Sequence, residues 1–124
     1  MTEVPISDRR KWKVNKPPDD ILRMVTDFLV QKKAKFVETP TLPVKVIVAT
    51  IGSGAKTRFF GGMFVSEQTL PVKVMVLMNQ VAEGTEVEAT IQDNLGFGSR
   101  MGMERKYRDY IGHLLDDLEN LLQD

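Results

Sequence analysis

The spacing of apolar residues changes several times along the chain, and each change marks an element. Trp12 and Val14 alternate with Lys11 and Lys13, so Arg9 to Val14 reads as a strand with a basic outer face. Asn15-Lys16-Pro17-Pro18 stops it. A helix is predicted next, because proline is tolerated where the first-turn N–H groups have no intrahelical partner. Asp19 and Asp20 also place negative charge at the positive end of its dipole. Ile21, Leu22, Val25, Phe28 and Leu29 recur at helical spacing, Met24 widens the stripe, and Gln31-Lys32-Lys33 marks the end.

Lys35 to Val37 predicts a short strand before Thr39-Pro40-Thr41. The hexapeptide Thr41-Leu42-Pro43-Val44-Lys45-Val46 returns as Thr69-Leu70-Pro71-Val72-Lys73-Val74, and each copy opens a β-branched run, Val44 to Ile51 and Val72 to Asn79. Proline sits at the start of both, where no ladder donor is required. Between them, Gly52 to Ala55 predicts a turn and Lys56 to Val65 a returning strand broken at Gly61-Gly62. Glu83-Gly84 predicts a hairpin leading into Thr85 to Asp93, where Val87, Ala89 and Ile91 alternate with Glu86, Glu88, Thr90 and Gln92.

The two echo strands are apolar on both faces: Val44, Val46 and Val48 against Ile47, Ala49 and Ile51, and Val72, Val74, Val76 and Met78 against Met75 and Leu77. Such strands must be covered twice, yet the chain offers helices for one face only. A second subunit, a ligand or a loop is expected over the other. From about Met103 to Leu122, Tyr107, Ile111, Leu114, Leu118 and Leu121 alternate four and three apart, with Leu115 and Leu122 beside them. This predicts a long helix lying across the sheet rather than an autonomous coiled coil.

Length and composition bound the rest. At 124 residues and 14.0 kDa the chain is expected to form a single domain over 1–124. With no cysteine and a single histidine, His113, disulfides, thiolate nucleophiles and histidine-rich metal sites are excluded. The 17 basic and 17 acidic side chains cancel, but unevenly: residues 1–60 carry 12 basic against 6 acidic, a net +6, and the remainder a net −6. Without a run of ~18 apolar residues or a secretory pattern, no transmembrane segment and a cytoplasmic location are expected.

The predicted order is strand, helix, four or five strands in hairpins, then a long helix: α+β, a helix-grip or TBP-like arrangement. Three segments resemble the START-like, polyketide-cyclase-like (SRPBCC) helix-grip family. The first runs Trp12-Lys13-Val14-Asn15-Lys16-Pro17-Pro18-Asp19-Asp20-Ile21, with Val25 and Asp27-Phe28, and is similar to that family's first strand and helix start. Gly84 to Thr90 is similar to its penultimate hairpin. Gly96-Phe97-Gly98 leads through Met101, Met103, Arg105 and Lys106-Tyr107 into the terminal helix. The chain departs from the family in having one or two strands fewer and no second short helix between Phe28 and Lys45, which implies a smaller cavity or none.

The resemblance implies binding of a small hydrophobic or lipid-like molecule between the sheet and the C-terminal helix, and a non-enzymatic role is the expectation. Phe59, Phe60, Met63, Phe64, Met75, Leu77, Phe97, Met101, Met103 and Tyr107 are the candidate lining. Methionine suits an adaptable pocket because its thioether is flexible and polarizable, and the same property makes it a core filler. The three-glycine loop Asp93 to Gly102 is a candidate gate, with a spacing that fits no nucleotide fingerprint. A cyclase-type enzyme would need a polar group inside, and Arg58, Asn79, Tyr107 and Tyr110 are the candidates. No cofactor or metal is expected, since Asp19-Asp20 and Asp116-Asp117 are adjacent on helices and diverge. Homo-oligomerisation through the uncovered, doubly apolar strands is expected as well, and a ligand-free self-associating interaction domain is the competing expectation. Arg9-Arg10-Lys11-Trp12-Lys13 is the best nucleic-acid signal, read here as a solvated edge strand.

Overall fold

The computed structural model describes residues 6–41, 44–52, 70–94 and 104–123. In chain order these form β1 (Ser7–Val14), α1 (Pro18–Gln31), β2 (Lys35–Thr41), β3 (Val44–Ile51), β4 (Val72–Val81), β5 (Gly84–Asp93) and α2 (Glu104–Gln123). The strands make one sheet in the order β1-β5-β4-β3-β2, every pair antiparallel. The first strand therefore lies beside the last, and the others form a meander. A long C-terminal helix packs on β1 and β5, which gives the α+β helix-grip layout.

Sequence patterning decides which face of the sheet is inside. Trp12 and Val14 of β1, Val87, Ala89 and Ile91 of β5, Val72 to Met78 in alternation on β4, and Ile47, Ala49 and Ile51 of β3 are all buried. Over them lie Ile21, Val25, Phe28 and Leu29 of α1 and Tyr107, Tyr110, Ile111, Leu114, Leu115, Leu118 and Leu122 of α2. A fully buried side chain of this kind contributes about 1.5–3 kcal/mol, so this layer is the main source of stability. Both helices pack on this face and against each other.

Polar contacts fix the edges of the layer. Trp12 is buried and its indole Nε1–H donates to Glu119 on α2 at 2.8 Å. Arg10 pairs with Asp116 one turn earlier at 2.6 Å. The Ile6 N–H donates to the buried Asp93 carboxylate at 2.6 Å, and the Thr85 hydroxyl donates to the Lys16 carbonyl at 2.7 Å. Both ends of β1 are thus tied to β5.

The far end of β2 differs from the sequence reading. The short strand at Lys35 extends to Thr41, past Pro40, because β2 is an edge strand and a missing donor is tolerated there. The returning strand expected at Lys56 to Val65 and the gate loop from Leu95 to Gly102 lie outside the described residues.

Candidate binding site between the helices

Where α1 and α2 run side by side, the margins of their apolar stripes meet. Met24 and Phe28 on α1 and Leu121 on α2 face one another, all packed against the core, with Phe28 only 9% exposed. Asp27, Gln31 and Lys32 continue α1, while Asp117 and Asn120 continue α2, and together these eight side chains line an open cleft of about 460 Å³. The floor is apolar and the rim is polar.

Lys32 organises the mouth. Its ammonium stands 5.6 Å from the centre of the Phe28 ring and 3.8 Å from the Asp117 carboxylate, so one cation bridges the two helices. Local structure puts it there. Lys32 is the C-cap of α1, and the chain then turns through Lys33 in the left-handed region, φ 59°. The Lys33 and Ala34 N–H groups return to the Val30 and Leu29 carbonyls at 3.0 and 2.9 Å, the paired bonds of a Schellman turn.

Two smaller clefts are lined by described residues. One of about 340 Å³ lies between the β1–α1 connection and the β4–β5 turn, and half of its lining residues are polar: Asn15, Lys16, Gln80 and Glu83. Another, about 50 Å³, involves Leu22, Glu38, Thr39, Lys45 and Val46. Beside it Lys45 donates to Asp19 at the start of α1 and holds that carboxyl below its ordinary pKa, first through the hydrogen bond and then through charge.

The lining expected from the sequence is placed as follows. Phe59, Phe60, Met63, Phe64, Phe97, Met101 and Met103 lie outside the described residues, as does Arg58. Met75 and Leu77 stand on the face of β4 turned away from both helices, so a cavity between sheet and terminal helix would not include them. The correction is one of facing: the inward set of β4 is Val72, Val74, Val76 and Met78. Asn79 shares the outer face and is exposed. Tyr107 is inward and fully buried, and its hydroxyl donates to the Pro71 carbonyl at 2.9 Å, anchoring α2 to the start of β4. Tyr110 is buried and His113 exposed.

The basic run of β1 has acidic partners on β5, the β4–β5 turn and α2. Arg9 pairs with Glu88, Lys11 with Glu86 and Lys13 with Glu83, at 3.2, 3.4 and 3.8 Å. The aspartates read as solvated surface also have partners: Asp19 with Lys45, Asp116 with Arg10 and Asp117 with Lys32. Among the described residues no group of three or more histidines, aspartates or glutamates is placed to hold a metal, and no helix is long and apolar enough to cross a membrane.

The cleft residues were not singled out by sequence. Met24 was visible only as the widening of one amphipathic stripe and Leu121 only as the last member of another, and nothing in a linear pattern says which residues of two stripes meet.

No family model matches the chain, and no curated protein matches it. Solved structures do. The Polyketide_cyc-like protein Cgl2372 from Corynebacterium glutamicum is similar with a TM-score of 0.48 and 11% identity, over 97% of this chain and 89% of that one. Protein MLL2253 from Mesorhizobium loti is similar with a TM-score of 0.43 and 10% identity, over 94% and 96%. The di-domain ARO/CYC StfQ from the steffimycin biosynthetic pathway has a TM-score of 0.40 and 10% identity, over 95% of this chain and 48% of that one. The helix-grip layout itself rests on the strand order and on the helix packed across β1 and β5.

Proposed function

We propose that this chain is a non-enzymatic binding domain for a small, largely apolar molecule, seated in the cleft between α1 and α2. The observation that carries the reading is the cleft itself. Its 460 Å³ falls within the ~300–1,000 Å³ typical of small-molecule sites, and it combines three apolar side chains, Met24, Phe28 and Leu121, with five polar ones. Met24 and Leu121 are only partly buried, so a ligand would remove apolar surface from water without displacing the core. Octanol is a suitable probe. Leu121→Trp fills the cleft from its open side and should weaken octanol binding, read by calorimetry, roughly tenfold or more while leaving the circular dichroism unchanged. Equal binding by a folded Leu121→Trp variant would remove the cleft from consideration.

A second reading rests on a different observation. Val37, Val48 and Met75 stand in register across β2, β3 and β4, with Val46 beside Leu77, on the face that carries neither helix. Val37 is 67% exposed and Met75 37%. A second copy of this chain, packing face to face, is the occupant that the doubly apolar strands call for. This reading does not exclude the first, because the cleft lies on the opposite side of the sheet.

A further inference from the structure

We propose that the cleft between α1 and α2 selects an organic ammonium with an apolar tail; the inference rests on the binding reading above and specifies the charge of its ligand. The side chains that line the cleft include two carboxylates, Asp27 and Asp117, against one cation, Lys32. Lys32 is the intrinsic marker. Its ammonium occupies a position that suits a positive charge: over the face of Phe28 at 5.6 Å and 3.8 Å from Asp117.

Aromatic faces attract cations through the ring quadrupole, and recognition of quaternary ammonium groups uses this geometry. The Asp117 contact is long for a charge-assisted hydrogen bond, which is usually about 2.7–2.9 Å, so Lys32 is held loosely. Lysine also has a flexible stem, and here it extends from the C-cap of α1, with its side chain 33% exposed. It can swing into water and leave the ring and the carboxylates to a ligand.

A ligand ammonium in that position would meet Phe28 and Asp117, with Asp27 adding a second negative charge on the α1 rim. Its tail would lie on Met24 and Leu121. A carboxylate of the same length would instead bring a negative charge beside Asp27 and Asp117, with only Lys32 to compensate.

The test is a calorimetric titration of the whole chain with octyltrimethylammonium, octanoate and octanol, each below its micelle concentration and at low salt. The expected order is ammonium tightest, octanol next and octanoate weakest, with the first two separated by roughly fivefold, the scale of an exposed cation–π contact with a nearby ion pair. Asp117→Asn should erase most of that advantage, weakening the ammonium far more than it shifts octanol. Lys32→Met should strengthen the ammonium, since it removes the resident competitor. Asp117 is 53% exposed, so its replacement is compatible with an intact fold, checked by circular dichroism. Octanoate or octanol binding as tightly as the ammonium, or an ammonium affinity indifferent to Asp117→Asn, would overturn the charge assignment and leave the cleft reading standing. Failure of all three probes would overturn both.

Discussion

Lys33 holds a φ of 59°, a conformation that costs an L-residue other than Gly, Asn or Asp about 1–2 kcal/mol and costs glycine little. It is tolerated because the turn satisfies the Val30 and Leu29 carbonyls and ends α1 where Lys32 can reach the cleft. Lys33→Gly should therefore raise stability by about 1 kcal/mol in chemical denaturation, after allowance for the greater freedom of the unfolded chain. A loss of stability would contradict the turn geometry. At the other end of α1, Asp19 titrates below the ordinary carboxylate range because Lys45 hydrogen-bonds and attracts it. The sign follows: the contact contributes above the unfolded-state pKa and is lost as pH falls through the lowered one. Carboxyl NMR should show the Asp19 midpoint rise in Lys45→Met, and an unmoved midpoint would mean that the pair is absent in solution.

At the scale of elements, the meeting of β1 with β5 depends on a residue that has no side chain. Gly84 opens β5 at φ +130°, and a Cβ there would stand 2.2 Å from the Val14 carbonyl oxygen. Gly84→Ala should cost about 1–3 kcal/mol through backbone strain alone, and more if β1 shifts. Unchanged thermal stability would show that β1 does not approach so closely. Both helices were legible in the sequence because each carries a one-sided stripe with terminal signals, and Trp12 was legible as buried from its alternation with lysines. The extension of β2 past Pro40 was not, since proline reads as a stop unless the strand is known to be an edge. Nor was the pairing of Arg9, Lys11 and Lys13 with Glu88, Glu86 and Glu83, which depends on register between distant strands. The facing of Met75 and Leu77 was ambiguous for a plain reason: β4 is apolar on both sides, and the helices choose one.

Across the whole molecule the two faces of the sheet have different fates. Helices cover one, and the other presents Val37, Val48 and Met75 in a row. If a second copy packs there, sedimentation should show a dimer that Met75→Glu dissociates without unfolding; a monomer at every concentration would end that reading. The cleft was invisible in the sequence because it belongs to neither helix alone: Phe28 and Lys32 acquire their roles only when α2 brings Asp117 and Leu121 alongside. The most direct measurement is an amide NMR titration of the whole chain with octyltrimethylammonium. Binding in the cleft predicts saturable shifts concentrated at Met24, Phe28, Lys32, Asp117 and Leu121. Shifts centred instead on Val48, Met75 and Leu77, or none at saturating probe, would contradict it.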